Sequence, residues 1–307
     1  MNINKVAENT CAVDAGVFGV RGFTSVYLLV GDTLALIDSG SPKSTPLILE
    51  SINSLGYNPK DVTKIILSHI HFDHGSGAGE LLKFMPQASV YAHYSGCKHL
   101  IDPSRLTISA KKVFGKKIEE WYGWFASVPK ERIVPINDGD IIELGANYKL
   151  RVLETSGHAK HEICLYDPAS GGLFVGDEAG IYFPEASAII PASPPPDFDP
   201  DHNIETIKRL QALRPEQLFF AHYLTTKVVD ETLRAYIDIL SSWKKIVEGA
   251  LNEGLDFDAI VNALIIHAAK VLKGIERRED LHAFIRDHHI PMCANGYIHY
   301  FKKTRQK

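Results

Sequence analysis

The sequence lacks the features that mark disulfide-bonded, secreted and membrane proteins. Its four cysteines form no CxxC pair and lie far apart, at Cys11, Cys97, Cys164 and Cys293, so four reduced thiols are the expected state. The segment from Met1 to Asn9 is polar and has no apolar stretch of the signal-peptide kind. No apolar run approaches the length of a membrane span. We therefore predict a cytoplasmic protein without a membrane partner.

A concentration of positive charge is also missing. The 33 Lys and Arg residues are scattered among 37 Asp and Glu residues, and the formal net charge is −4 at pH 7. A nucleic-acid-binding surface needs a basic face, so no nucleic-acid partner is expected. The remaining composition, 45% hydrophobic and 23% charged, is ordinary for a globular protein.

Short apolar strands alternate with helices over the first 225 residues. The segments Ser25–Val30 and Leu34–Ile37 have the pattern of paired strands, and a helix is predicted from Pro42 to Gly56. This alternation predicts an α/β layer fold. Between Ser95 and Pro129 the pattern is helical and rich in aromatic residues, and after about Thr226 no strand pattern remains. We predict a domain over residues 1–225, with a helical insertion at 95–129, and a C-terminal helical extension over 226–307.

Three histidines and one aspartate lie within six residues, at His69, His71, Asp73 and His74. Residues two apart in an extended segment share a face, so the first three project the same way. His74 follows close to the beginning of a helix predicted over Ser76–Lys83. Imidazole and carboxylate together suit zinc, iron or manganese. A set of surface histidines is the alternative, but a buried cluster without metal would leave several polar groups unsatisfied. The motif therefore predicts a metal centre.

Four single polar residues each follow the end of an apolar strand. They are Asp38, His158, Asp177 and His222. Each alone would be better explained as a loop residue or a helix cap. Because α/β sheets gather their active sites at the carboxyl ends of their strands, their shared position predicts that they join the histidine cluster.

These motifs resemble those of the metallo-β-lactamase superfamily, in which an Asp, an HxHxDH motif, a His, an Asp and a His follow in this order. The match spans about residues 10 to 225. The resemblance implies a four-layer αβ/βα metallo-β-lactamase sandwich with metal ions at one edge of its two sheets. It also implies that residues 1–225 are the catalytic domain, with residues 95–129 as a helical cap and the C-terminal helices as an extension.

The same resemblance implies a role for each residue. It assigns His69, His71 and His158 to a first metal ion, Asp73, His74 and His222 to a second, and Asp177 to a bridge between them. Asp38 resembles an acid that fixes a ligand histidine by accepting its other N–H, and Asp73 is the acid closest to the leaving group. Two divalent ions are expected as cofactors, with zinc as the first expectation and iron or manganese as alternatives.

Within the superfamily the sequence is similar to the glyoxalase II-like thioester hydrolases, several of which carry a helical cap. This implies a dinuclear-metal hydrolase whose metal-bridging hydroxide cleaves a thioester, or a related ester or lactone, of a small molecule. No Lys/Arg set matches the glutathione-binding residues of classical glyoxalase II. This puts glutathione thioesters in doubt. The expected partner is a small-molecule substrate, and a homodimer is left open.

Aromatic residues provide a hypothesis about the substrate pocket. Trp121 and Trp124 of the insertion are expected to form an apolar wall, although packing of the cap on the sandwich explains them equally well. Tyr182, five residues after Asp177, is a candidate to donate its hydroxyl to a substrate carbonyl. A plain loop tyrosine is the alternative.

Other activities share parts of this motif set. A persulfide dioxygenase keeps HxHxDH but uses one iron ion, and lactonases share every ligand, so both stay open. A nuclease of the RNase Z kind is disfavoured by the net charge of −4. A metabolite sensor is disfavoured by the complete ligand set, because a pure binding module has no need of it.

Overall fold

The computed structural model describes residues 3–115, 117–222 and 224–305, apart from the side chains of residues 112–114. Its strands are β1 (Ile3–Ala7), β2 (Thr10–Asp14), β3 (Ser25–Val30), β4 (Leu34–Ile37), β5 (Val62–Ile66), β6 (Ser89–His93), β7 (Ile133–Ile136), β8 (Ile141–Gly145), β9 (Tyr148–Glu154), β10 (Ile163–Asp167), β11 (Gly172–Phe174), β12 (Ile181–Phe183), β13 (Ala188–Ile190), β14 (Gln217–Phe219) and β15 (Thr225–Thr226). Its helices are α1 (Thr45–Ser54), α2 (Ala78–Leu81), α3 (Tyr94–Ile101), α4 (Ser104–Phe114), α5 (Lys117–Trp121), α6 (Pro200–Ala212), α7 (Val229–Asn252), α8 (Phe257–His267), α9 (Ala269–Gly274), α10 (Glu279–Phe284) and α11 (Ile290–Thr304), with a π-helical turn at Ile285–His289.

The described strands form two large sheets and a small one. The first sheet has the order β1-β2-β3-β4-β5-β6-β7; β1 to β4 pair antiparallel and β4 to β7 pair parallel. The second has the order β15-β14-β11-β10-β9-β8, and its β11 and β14 are parallel. Strands β12 and β13 form a separate hairpin.

Three hydrophobic clusters show how these sheets are layered. Residues such as Leu29 and Ile66 of the first sheet pack against Leu165 and Phe174 of the second. On its other face the first sheet packs against α1 and α2, for example through Ile48. The second sheet packs on its outer face against α6, α7 and the C-terminal helices. Helix, sheet, sheet and helix thus follow one another, and the predicted four-layer sandwich is confirmed.

The described chain after Thr226 contains helices and no strand, as the sequence indicates. Its helices share one hydrophobic cluster with the second sheet, because Trp243 of α7 and Tyr297 of α11 are buried with Leu173 of β11. The division at residue 225 stays a prediction, since these helices complete a core and are not set apart from it. Within residues 3–115, 117–222 and 224–305, no helix combines the length and apolarity that a membrane crossing requires.

Several elements differ from the sequence predictions for local reasons. The apolar pattern of the sequence predicts a helix over Asn203–Leu213. Helix α6 begins three residues earlier, at Pro200, because the Asp199 side chain accepts hydrogen bonds from the N–H groups of Asp201 and His202. Helix α2 covers only Ala78–Leu81 of the predicted Ser76–Lys83. Its neighbouring glycines lower the helix propensity there.

Candidate metal centre and active site

The topology brings the predicted site residues to one edge of the sandwich. In the first sheet β4 and β5 are parallel, so Asp38 and His69, which follow them, lie at the same end. In the second sheet β9 and β11 are both antiparallel to β10, and β14 is parallel to β11. The residues that follow these strands, His158, Asp177 and His222, therefore share one edge as well.

All seven predicted ligands come together there. They form groups of three residues whose ligand atoms lie within 4.8 Å of one another, so that each group could hold a metal ion. One cluster contains His69, His71 and His158, a second contains Asp73, His74 and His222, and a third group joins His69, His74 and Asp177. Within the first cluster, His158 Nε2 lies 2.9 Å from His71 Nδ1. The ring nitrogens of each cluster thus point towards a common centre.

Asp177 lies between the two clusters and faces both. Its Oδ2 is 3.6 Å from His158 Nε2 and 4.0 Å from His69 Nε2. Its Oδ1 is 3.4 Å from His222 Nε2 and 3.6 Å from His74 Nε2. A carboxylate whose two oxygens face different clusters is arranged as a bridge between them.

A glycine and a buried glutamate fix the position of Asp177. Gly176 has φ +53°, and a Cβ there would overlap Glu162 Oε1, so a larger residue is excluded on both grounds. That same oxygen accepts the backbone N–H of Asp177 at 2.8 Å. The other carboxylate oxygen of Glu162 lies 3.6 Å from His69 Nδ1. Glu162 therefore fixes the backbone next to the bridge, and its second oxygen lies near the first cluster without a hydrogen-bond partner in the described part of the chain.

Asp38 connects the first strand edge to two ligand histidines. Its Oδ2 lies 3.2 Å from His74 Nδ1 and accepts the Ser68 hydroxyl at 3.0 Å, and that hydroxyl oxygen lies 3.1 Å from His69 Nδ1. Its Oδ1 accepts the backbone N–H of Ser68 at 2.7 Å. Through one direct and one relayed hydrogen bond, Asp38 turns the Nε2 atoms of His69 and His74 towards the clusters.

Hydrogen bonds hold both the ring and the backbone of His158. Its Nδ1 donates to the carbonyl of Ala192 at 2.7 Å, which leaves Nε2 as the acceptor nitrogen facing the cluster. Its backbone N–H donates to Glu178 Oε2 at 3.0 Å. Glu178 also accepts the side-chain amide of Asn203 at 2.8 Å, and Tyr236 donates to that amide's oxygen at 3.0 Å. A buried network therefore reaches from helix α7 to the metal-site edge.

The protonation states of most of the ligands suit metal binding. His74 is the exception: burial opposes its charged form, but Asp73 and Asp177 outweigh burial and raise its pKa well above the usual range, so a metal ion has to displace its proton. Burial lowers the pKa of His69 well below its usual range and that of His71 to about 4, so both imidazoles are neutral at pH 7. Burial opposes the ionised form of Asp73, but His74 and His222 outweigh it and lower the pKa to about 2. Burial also opposes ionisation of Asp177, yet the surrounding histidines, His222 first, hold its pKa well below the usual range. Neutral imidazoles and ionised carboxylates are the forms that bind metals.

Buried polar atoms without partners give an independent test of this fit. His69 Nε2, His74 Nε2 and Asp177 Oδ1 are buried and have no hydrogen-bond partner in the described part of the chain. Leaving such atoms unpaired costs free energy. All three face the cluster centres, where a cation would satisfy them. The nitrogen and oxygen donor set suits zinc, iron or manganese.

A cavity of about 420 Å³ opens beside the two clusters. Its floor contains His71, Asp73, His158, Asp177 and His222, and its walls are largely apolar. The walls come from three distant parts of the chain, with Phe18 and Phe23 near the beginning, Leu106, Trp121 and Tyr122 in the insertion, and Phe284 and Met292 near the end. A loop with Pro194, Pro195 and Pro196 completes them.

The structure separates the aromatic residues proposed for the substrate pocket. Trp121 lines the cavity, as the sequence hypothesis requires. The expectation for Trp124 is wrong, because its side chain is 62% exposed and lies under Lys111 Nζ, outside the cavity. Tyr182 also lies outside it. The chain after Asp177 turns into strand β12, which stacks the Tyr182 ring on Phe220 and so directs it away from the cavity.

Sequence reasoning missed the buried acids Glu162 and Glu178. Burial, with the charge of Asp177 next, raises the pKa of Glu162 well above its usual range, and burial raises that of Glu178 to about 7. The signal in the sequence was their position, since Glu178 directly follows Asp177 and Glu162 lies four residues after His158. Acids this close to ligands are candidates for supporting roles.

Comparison with known proteins gives a family match over most of the chain. The sequence profile of the Metallo-beta-lactamase superfamily matches residues 19–222. A curated relative, the metallo-beta-lactamase fold-containing protein ST1585 of Sulfurisphaera tokodaii, is 28% identical over 229 residues, which are 73% of this chain and 82% of that protein. The hydroxyacylglutathione hydrolase of Hahella chejuensis is 27% identical over 128 residues, which are 41% of this chain and 37% of that enzyme.

Two solved structures resemble the fold. The crystal structure of ST1585 from Sulfolobus tokodaii has a TM-score of 0.64 and 25% identity, and covers 76% of this chain and 86% of its own. The metallo-beta-lactamase family protein TTHA1429 of Thermus thermophilus has a TM-score of 0.67 at 17% identity. That match covers 98% of this chain and 95% of TTHA1429, so the likeness of fold includes the C-terminal helices.

Proposed function

The chain belongs to the metallo-β-lactamase superfamily, and on this premise we propose that it is a dinuclear metal-dependent hydrolase of a small-molecule thioester, or of a related ester or lactone. The observation that carries the proposal is the geometry of Asp177, whose two carboxylate oxygens face two separate histidine clusters. Seven ligands exceed what one tetrahedral ion uses. Two ions, zinc first and iron or manganese as alternatives, fit this set.

The proposed ligand assignment follows the two clusters. His69, His71 and His158 would hold one ion, Asp73, His74 and His222 would hold the other, and Asp177 would lie between the two sets. When bound, such a pair of ions supplies a water molecule with its pKa lowered towards ~7 and polarises a carbonyl oxygen. Hydrolysis then requires no serine or cysteine nucleophile from the chain.

The side chains around the ions bind, orient and exchange protons. Asp38 and the Ala192 carbonyl keep the imidazoles of His74 and His158 in the orientation that turns their free nitrogens inward. Asp73 faces the cavity, and its ionised carboxylate is the group that we propose to take a proton from the attacking water and pass it to the leaving thiolate or alkoxide. The aromatic walls exclude water from the acyl group and favour an apolar one.

A thioester with a flat or aliphatic acyl group is the substrate class that these walls favour. The partial likeness to a hydroxyacylglutathione hydrolase supports a thioester. Glutathione itself is not proposed, because the sequence has no set of basic residues matching the glutathione-binding residues of classical glyoxalase II. Lactone hydrolysis stays a second candidate, since it would use the same residues.

The proposal is tested by metal analysis and a turnover screen of the purified protein. We expect about two transition-metal ions per chain by elemental analysis. The screen compares acyl-CoA and acylglutathione thioesters, lactones and phosphodiesters, and the expected hits are apolar acyl-CoA thioesters. A content of one iron ion per chain, with oxygen consumed on addition of a persulfide, would contradict the hydrolase and support a dioxygenase.

A further inference from the structure

We propose that His289 determines substrate specificity, because its Nδ1 accepts a hydrogen bond from a hydroxyl, amine or amide N–H on the acyl part of the substrate. The inference rests on the proposed function, since it concerns the same cavity. It adds a chemical feature of the substrate that the metal clusters do not specify.

His289 is one of few polar groups in the walls. Outside the proposed ligands, the described polar residues that line the cavity are Ser109, Tyr122, His288 and His289. His289 is only 4% exposed. A polar ring buried at an apolar wall costs free energy unless its nitrogens are paired. The Nε2 atom of this ring is hydrogen-bonded within the protein, and Nδ1 is the atom that we propose to accept a hydrogen bond from the substrate.

The hydrogen bond of the paired nitrogen settles the tautomer. His289 Nε2 lies 2.8 Å from the carbonyl oxygen of Pro191, which can only accept. Nε2 therefore carries the proton, and Nδ1 of the neutral ring is an acceptor. Burial lowers the pKa of His289, which keeps the ring neutral. No described residue donates a hydrogen bond to Nδ1. This nitrogen is not fully buried, so it is accessible from the cavity that His289 lines.

Two consecutive carbonyls connect this acceptor to the metal-site edge. The Pro191 carbonyl holds His289, and the next carbonyl, that of Ala192, accepts the Nδ1–H of His158 at 2.7 Å. The thiol of Cys293 also donates to the Pro191 carbonyl, at 3.2 Å. A short rigid segment thus fixes the acceptor relative to a ligand of the first cluster, which is the arrangement that orients a substrate.

The backbone around His289 departs from a regular helix. Residues Ile285–His289 form a π-helical turn, in which the N–H of Ile290 bonds to the carbonyl of Ile285. Such turns are rare and occur frequently at functional sites. Here the turn and its flanks bring Phe284, His289 and Met292 to the cavity.

The described walls specify what the acyl group carries. A cavity of about 420 Å³ with aromatic walls accommodates a flat apolar body. A neutral acceptor in that wall favours one hydrogen-bond donor on this body. An anionic group at the same place would face both Nδ1 and an apolar surface, so acyl groups with a second carboxylate or a phosphate are disfavoured.

The test uses product-like acids and a readout that requires no turnover. Calorimetry measures the binding of 3-phenylpropanoic acid to the metal-loaded protein. The same measurement is made for the three acids that carry a hydroxyl at position 2, 3 or 4 of the phenyl ring, and for their methyl ethers. One net hydrogen bond corresponds to about 3- to 10-fold in affinity. We expect at least one hydroxy isomer to bind tighter than the parent acid by that factor, and its methyl ether to lose the gain.

A pair of variants assigns the effect to His289. In His289→Gln the side-chain amide can still donate to Pro191, but the Nδ1 acceptor is gone, so the hydroxy-to-parent ratio should fall to about one. His299→Gln, a site on the following helix α11 outside the cavity lining, should leave the ratio unchanged. Equal affinities for the parent and all three hydroxy isomers in the unaltered protein would overturn the inference without any variant. A ratio that survives in folded His289→Gln would also overturn it.

Turnover of the matching CoA thioesters separates this inference from the proposed function. If both parent and hydroxyacyl thioesters are hydrolysed at equal kcat/KM and their acids bind equally, the specificity role of His289 is wrong and the hydrolase stands. If neither is hydrolysed while the binding ratio depends on His289, the acceptor stands and the proposed thioesterase is wrong.

Discussion

The floor of the cavity and its walls are built in opposite ways. The floor consists of histidines and aspartates that follow strand ends, held by hydrogen bonds such as that of His158 to the Ala192 carbonyl. The walls consist of apolar rings from the beginning, the insertion and the end of the chain, for example Phe18, Trp121 and Phe284. The centroids of these three rings lie 4.3 to 6.0 Å apart.

This difference separates two tasks. The residues of the floor act through the direction and the charge of their ligand atoms, so small displacements of these atoms lower the reaction rate strongly. The walls depend on shape and area, which several combinations of side chains can provide. We therefore expect changes in the floor to abolish the reaction and changes in the walls to alter which substrate is used or how stable the fold is.

The largest effect is expected for the residue that joins the two clusters. Asp177→Ala removes both oxygens that face the clusters, so at least one metal ion should be lost and kcat/KM should fall by more than about 10³-fold. Elemental analysis and kinetics measure the loss, and circular dichroism checks that the fold survives. Asp280→Ala, an exposed site on α10, serves as the control. Full activity with both ions retained in Asp177→Ala would show that the bridge assignment is wrong.

A smaller effect is expected when only the support of the ligands is changed. Asp38 has φ +63°, a conformation that asparagine tolerates well. Asp38→Asn therefore keeps the backbone conformation. It replaces one carboxylate oxygen, which accepts hydrogen bonds, by an amide N–H group, although its neighbours His74 Nδ1 and the Ser68 hydroxyl are donors that need an acceptor. We expect metal affinity to fall about 10- to 100-fold, measured by chelator competition. An unchanged affinity would mean that Asp38 does not orient the ligands.

The floor could be predicted from the sequence because its information is local. The cluster from His69 to His74 contains four ligands within one short segment, and the other ligands lie next to apolar strands that are themselves recognisable. The supporting acids were missed because their role depends on partners from other elements. Glu162, for example, accepts the N–H of Asp177, which lies beyond two further strands of the chain.

Apart from Trp121, the walls could not be predicted, because they depend on packing between distant segments. Tyr182 is close to Asp177 in sequence, but strand β12 carries it away from the cavity. His289 is more than a hundred residues from Asp177 and lines the same cavity. The strand pair β1 and β2 was also missed, since Thr10–Asp14 alternates too weakly to be recognised and is stabilised by its neighbour β3.

A moderate loss of stability is expected from a change where the C-terminal helix α11 meets the proline loop of the wall. A Cβ at Gly296 would overlap the carbonyl oxygen of Ser193, a backbone atom that cannot move cheaply. Gly296→Ala should therefore destabilise the fold by about 1–3 kcal/mol, despite the better helix propensity of alanine. Gly249→Ala is the matched control, because nothing lies within 4 Å of its added Cβ, and it should stabilise by about 0.5–1 kcal/mol. Thermal unfolding measures both, and equal shifts for the two would rule out the close approach.

The smallest effect is expected for the two tryptophans of the insertion, which the structure separates. Trp121 packs against Phe284 and His288 and lines the cavity, whereas Trp124 is largely exposed. If a substrate covers roughly 40 Å² of the Trp121 ring, burial of that area contributes ~1 kcal/mol, so Trp121→Ala should raise KM about 5-fold. Trp124→Ala loses only an exposed contact with Lys111, worth less than about 1 kcal/mol of stability, and should change kcat/KM by less than about 2-fold. Kinetics and melting temperature are measured together, because a loss of stability in Trp121→Ala without a change in KM would make that ring a packing residue and limit the substrate wall to the remaining rings.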